Sequence, residues 1–164
     1  MAIRSILKDN DPGLRRVCRQ VTDFNGRLHG LLDDMKDTLF NENGLGLAAP
    51  QVGVLRRVAL VLEINVENEK DAYIIELINP EIIEIEGEQT GAEGCLSFPG
   101  KYGIVTRPDY VKVRAQDRFG ESFVVEGRGI TARCFCHEID HLEGKVFTDI
   151  VERMLTPEEL EGGE

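Results

Sequence analysis

Between residues 56 and 127 the chain carries no helical period. Short segments rich in valine, isoleucine and tyrosine follow one another there: RRVALVLEI (56–64), DAYIIELINPEIIEIEG (71–87), YGIVTR (102–107), DYVKVRAQD (109–117) and ESFVVEG (121–127), with glycine and proline between them. β-Branched and aromatic side chains fit a pleated surface, so these segments read as strands. DRFGE between the last two is a hairpin signal, which makes much of the region antiparallel. Strands that do not alternate regularly with helices argue against a doubly wound parallel sheet.

Two helical patterns flank this region. From Phe24 to Phe40 the apolar residues Phe24, Leu28, Leu31, Leu32, Met35, Leu39 and Phe40 recur every three or four positions, the stripe of an amphipathic helix, and NENG closes it with Gly44 as the expected C-cap. From Gly129 to Leu142 the run ITARCFCHEIDHL drops the alternation and places its apolar residues on helical stripes, ending at Gly144. The expected fold is therefore α+β: antiparallel β-sheets packed around a central helix that carries HEIDH, plus the N-terminal amphipathic helix. With 164 residues and neither linker nor repeat, a single domain over 1–164 is expected.

Charge and composition narrow the partners. A formal net charge of -11 repels phosphate backbones and anionic lipid, which disfavours direct nucleic-acid or membrane binding and leaves a small or neutral substrate. MAIRSILKDNDPG has no apolar run of signal-peptide length, and no stretch approaches the roughly 18 apolar residues of a membrane span, so a cytoplasmic location is expected. In that setting Cys18, Cys95, Cys134 and Cys136 read as buried apolar residues or metal ligands rather than disulfides.

HEIDH (137–141) is the strongest chemical signal. Histidines four apart share one helix face and can grip one metal ion, and Glu138 between them can move protons. A catalytic metal takes three protein ligands and keeps one position open. Metzincins complete the set with a histidine ten residues after the first, but Phe147 stands there, and the residues after His141 carry no second long amphipathic helix to supply a glutamate. EELEGGE reads as a solvated tail. The third ligand must lie upstream, where EGCLSFPG (93–100) presents Cys95 beside Gly94 on an irregular segment. A structural zinc site using Cys134 and Cys136 is the weaker alternative, because Cys136 directly precedes His137 and points off its face. Earlier, GLGLAAPQVG (44–53) is a loop that something approaches closely; it lacks the GK[ST] of a phosphate loop, and Gln51 is a candidate donor to a substrate carbonyl.

With GLGLAAPQ (44–51), EGCLS (93–97) and HEIDH (137–141) in this order, the chain resembles the peptide deformylases, and DPGLRRVCRQVTDF (11–24) extends the resemblance over nearly all of it. The resemblance implies a hydrolase that removes the formyl group from the N-terminal formyl-methionine of new polypeptides, releasing formate. It implies Cys95, His137 and His141 as ligands of one divalent metal ion, Fe2+ in preference to Zn2+, Ni2+ or Co2+, and Glu138 as the acid/base. Gln51 and the backbone N–H of Leu96 bind the carbonyl oxygen. Gly44, Leu45 and Gly46 belong to the loop along which the substrate backbone lies; Ile130, Arg133 and Cys134, one or two turns before His137, face the pocket for the methionine side chain. The implied partners are nascent N-formylated polypeptides, met by a monomer in the bacterial cytoplasm in transient contact with the ribosome. The acidic end ERMLTPEELEGGE, however, offers no basic helix for ribosomal RNA. Ala92 and Tyr102 depart from the family, which often has glutamate and sometimes arginine at these places. Glu93 and Arg107 are expected to pair and orient the Cys95 segment. A metalloprotease and a noncatalytic metal-binding module remain as rival classes.

Overall fold

The structure, a computed structural model, describes residues 2–162 apart from the side chains at 69, 161 and 162. Helix α1 spans Gly26–Glu42, capped at its start by Asn25, whose side chain accepts the Leu28 N–H at 3.2 Å. Leu28, Leu31, Leu32, Met35 and Leu39 are buried against Val58, Leu60 and Ile78. Each such side chain contributes about 1.5–3 kcal/mol. Phe40, read as part of the same stripe, is instead 60% exposed. Asn43 rather than Gly44 caps the end, in the left-handed conformation at φ 53°, which asparagine adopts more readily than most residues.

The described residues form eight strands in two antiparallel sheets. The larger orders β1 (Gly46–Ala48), β2 (Val58–Glu63), β3 (Tyr73–Glu86), β6 (Tyr110–Gln116) and β7 (Ser122–Arg128) as β1-β2-β3-β6-β7. The smaller orders β4 (Gln89–Cys95), β5 (Phe98–Arg107) and β8 (Arg153–Met154) as β4-β5-β8. DRFGE forms the expected β6–β7 hairpin, turning at Gly120 with φ 86°.

Strands β1 and β4 are where the structure departs from the sequence reading. GLGLAAPQ is not all loop, because Gly46–Ala48 pairs with β2, Gly46 opposite Val61. EGC closes a strand rather than lying on an irregular segment: Gly94 pairs with Tyr102, and the register then slips so that Cys95 faces Phe98. A slip of this kind re-aims the side chain that follows it.

Helix α2 (Ile130–Leu142) lies between the sheets. Ala132, Phe135, Cys136 and Ile139 pack on Val61, Ile75, Leu77, Val111 and Val113 of the larger sheet, while Arg133 and His137 hydrogen-bond Glu93 of β4 in the smaller one. With sheets on both sides, every residue of the run CFCHEIDHL is buried except Asp140, which is half-buried. The chain leaves the helix at Gly144, φ 76°. The tail EELEGGE falls partly in a short helix, α3 (Pro157–Gly162), and its last two residues lie outside the described ones. None of the described helices is long and apolar enough to cross a membrane.

Candidate active site

One turn of α2 separates His137 and His141, whose rings meet edge to face at 5.0 Å. The register slip at the end of β4 turns Cys95 toward them. One ligand atom from each of the three lies within 4.8 Å of the others, with Cys95 Sγ 3.3 Å from His141 Nε2. A tetrahedral ion with ordinary metal–sulfur and metal–nitrogen distances needs donors about 3.3–3.6 Å apart, so small adjustments close the set. The surroundings also favour a cation. Burial opposes charge on His137, yet the Glu138 and Glu93 carboxylates and the Cys95 sulfur draw its pKa well above that of an ordinary imidazole. Among the described residues this is the one cluster of cysteine, histidine and carboxylate donors close enough to hold an ion, and it includes neither Cys134 nor Cys136.

Behind His137 stands Glu93, which was expected to pair with Arg107 and does so through two bonds of 3.1 and 2.7 Å. Sequence reasoning missed its larger role. Glu93 Oε2 also accepts from His137 Nδ1 at 2.6 Å, and Oε1 from Arg133 Nη1 at 2.9 Å. A carboxylate only accepts, so Nδ1 carries the proton and Nε2 is left free to ligate. Burial pushes the Glu93 carboxyl up, but the bonds and charges of His137 and Arg107 overcome it and hold the carboxyl well below the usual range. Glu93→Gln should weaken metal retention about 10–100-fold, the usual effect of losing a partner of a ligating histidine. It should also cost about 3–5 kcal/mol through unmatched buried arginines, to be read by metal titration and thermal melting.

Glu138 lines the same cavity as His137 and lies over Gly46 of β1, where an added Cβ would meet Glu138 Oε2 at 2.5 Å. Only glycine allows this approach. Gly46→Ala is expected to displace the carboxylate and lower turnover about a hundredfold, as misplacements near 1 Å do, with little change in melting temperature; steady-state kinetics and calorimetry check both. Burial raises the Glu138 carboxyl to about 7, the range a group needs if it is to accept and return a proton. Its Oε1 and His141 Nδ1 are the buried side-chain polar atoms without a partner among the described residues. Unsatisfied atoms of this kind are a mark of functional sites.

Gln51, 1% exposed, sits on a 3-10 turn after β1 rather than on an open loop. The Ala48 N–H donates to its Oε1 at 2.9 Å, which fixes the amide so that Nε2 points to Ser97 Oγ at 3.1 Å and Cys95 Sγ at 3.5 Å. Ser97, fully buried, was not singled out in the sequence; its place in EGCLS was the available signal. Gly94 has the close approach expected of it, to the Tyr102 ring 2.5 Å from where a Cβ would stand.

A cavity of about 520 Å³ joins these parts. Gly44, Leu45, Gly46, Gln51, Cys95, Leu96, Ile130, Arg133, Cys134, His137 and Glu138 line it, as do Ala92 and Tyr102, and His141 lies fully buried behind. The cavity runs between two sheet edges: β1 ends the larger sheet, β4 the smaller, and each pairs on one side only.

A buried glutamate beside a Cys-His-His donor set defines a metal-dependent hydrolase of the HExxH class. The pattern of the polypeptide deformylase family matches residues 3–156. Peptide deformylase 1 of Bacillus subtilis is 49% identical over 160 residues, covering 98% of this chain and 97% of its own. The peptide deformylase of Agathobacter rectalis is 48% identical over 94% of each chain. Among solved structures, the peptide deformylase of Legionella pneumophila superposes with a TM-score of 0.84 at 41% identity, over 98% of this chain and 90% of the other. That of Thermotoga maritima gives 0.85 at 35%, over 93% and 99%. The chain belongs to the polypeptide deformylase family, and the α+β expectation holds. It is accordingly an enzyme that hydrolyses the formyl group from N-terminal formyl-methionine, in preference to the protease reading.

Proposed function

We propose that Cys95, His137 and His141 hold one divalent ion and that the cleft performs deformylation with the residues around it. The thiolate–imidazole set suits Fe2+, as the family resemblance favours, and also accepts Zn2+, Ni2+ or Co2+. When bound, such an ion supplies a Lewis acid that polarises the formyl carbonyl and makes water acidic at neutral pH. Glu138 takes one proton of the attacking water. The water oxygen bonds to the formyl carbon, and the charge that develops on the carbonyl oxygen is met by the Gln51 amide and the Leu96 N–H. A single such donor contributes about 3 kcal/mol. Glu138 returns the proton to the nitrogen as the C–N bond breaks, releasing formate and the free amine.

The observation that carries this reading is the placement of the donor set at the bottom of a cleft between two open strand edges. An extended chain with a small acyl group at its end lies along Gly44, Leu45 and Gly46 on one side and the segment at Leu96 on the other, pairing main chain to main chain. Such pairing reads little sequence beyond the first residue, whose side chain enters the pocket at Ile130, Arg133 and Cys134. Acting on nascent polypeptides, the protein works as a single-domain monomer in the bacterial cytoplasm, meeting its substrates in transient contact with the ribosome. The test is incubation with formyl-Met peptides and with casein. Formate release with intact casein is expected; cleavage of casein with the formyl groups retained would contradict it.

A further inference from the structure

The wall of the side-chain pocket carries a cation that a thioether does not require. Arg133 borders the cavity and is 9% exposed. Its Nη1 is committed, donating to Glu93 Oε1 at 2.9 Å and to the Val105 carbonyl at 3.2 Å. Among the described residues Nη2 and Nε have no hydrogen-bond partner, and unlike the orphaned atoms of Glu138 and His141 they keep contact with open space. A guanidinium is a rigid planar fork, so anchoring Nη1 also orients its remaining donors. Gly91 puts no side chain against that edge, where a Cβ would stand in ordinary contact with Nη2 at 3.6 Å.

The charge of Arg133 is already matched. Arg107 and Arg133 face Glu93, and Arg107 also meets Asp140 at 2.7 Å, so two cations are set against two carboxylates. The guanidinium therefore offers N–H donors without an unmet positive charge of its own. A neutral acceptor is served by them, whereas a carboxylate held there would be buried beside Glu93, whose own charge already takes up that of Arg133.

Resting on the deformylase reading, we infer that the Arg133 guanidinium is a specificity-determining group that lets the pocket accept a first side chain with a neutral acceptor oxygen, namely the sulfoxide of oxidised methionine. The sulfoxide keeps the methionine skeleton and adds one polar oxygen. In an apolar pocket that oxygen would be buried unpaired, at a loss of about 10–100-fold in kcat/KM; the open edge of Arg133 supplies the partner.

The test compares kcat/KM for three peptides that differ only in their first residue: formyl-Met, formyl-Met sulfoxide and formyl-Glu. The wild type is expected to process the sulfoxide within about tenfold of methionine and formyl-Glu about a hundredfold or more below it. Arg133→Met and Arg133→Lys should each lower the sulfoxide-to-methionine ratio about tenfold or more, lysine because its single nitrogen stays with Glu93. The ratio within each protein is the readout, since Arg133 lines the site and the absolute rates will move. Should Arg133→Met fail to fold, the lysine variant and the wild-type ratio decide. A ratio unchanged in the variants, or a wild type that rejects the sulfoxide as strongly as formyl-Glu, overturns the role of Arg133 and leaves the deformylase reading intact. Failure of the wild type on formyl-Met itself would overturn both.

Discussion

Replacing Glu138 with alanine is expected to lower formate release by about 10⁴-fold, the upper end of what a positioned acid/base contributes, while metal content stays at the wild-type level. Glu138 both takes the proton from water and returns it to the leaving nitrogen, and the other buried carboxylate lining the cavity cannot take over. Glu93, the nearest candidate, has both oxygens bonded to Arg107, His137 and Arg133. Stability should not suffer in step with activity. The buried Glu138 Oε1 has no partner, and an unsatisfied group of this kind costs about 1–3 kcal/mol, which offsets the packing lost with the side chain. The variant is therefore expected to melt close to the wild type. Glu138→Gln keeps the volume and cannot accept the proton, so it should be as inactive as alanine. Near-normal turnover by either variant, measured at saturating formyl-Met peptide with metal confirmed by elemental analysis, would remove Glu138 from the chemistry.

Cys95→Ala should act the other way round, losing the metal first and activity as a consequence. Two imidazoles remain, one short of the three protein ligands a catalytic ion ordinarily takes. Metal content after dialysis is expected to fall from about one equivalent per chain to near zero. The fold should survive, because Cys95 only borders the smaller cluster of Leu14, Phe98, Val105, Val146 and Phe147 and belongs neither to the cluster around α1 nor to that between α2 and the larger sheet. A folded, metal-free, inactive protein is thus the expected result, and full metal occupancy in Cys95→Ala would show that another residue completes the set.

What could be read in the sequence divides along physical lines. HEIDH was legible because helical spacing alone puts two imidazoles on one face, and Cys95 because the chain after His141 offers no third ligand. The long strands announced themselves through valine and isoleucine. Strand β4 did not: QTGAEGC has no β-branched alternation, and its extended state rests on pairing with β5 rather than on its own preferences. At three residues, β1 is too short for any period, although its edge position is what makes the cleft. The Glu93–Arg107 pair followed from charge together with the family pattern, but the bonds of Glu93 to His137 and Arg133 depend on how β4 lies against α2, which no local pattern encodes. Ser97 was hidden in the same way, since its contact to Gln51 spans 46 positions. Asn43 took the cap expected of Gly44 because asparagine also tolerates the left-handed conformation, leaving the glycine beside the Leu39 and Leu96 side chains, within 2.9 Å of where its Cβ would stand.

The cleft and the donor set make one joint claim, that a single ion at Cys95, His137 and His141 switches on formyl hydrolysis. Anaerobic titration of metal-stripped protein with Fe2+, following formate released from a formyl-Met peptide, addresses it directly. The rate is expected to rise linearly to about one equivalent per chain and then stay flat, with the peptide's internal bonds untouched. Formate release at full rate before any metal is added, or internal cleavage with the formyl group still attached, would contradict it.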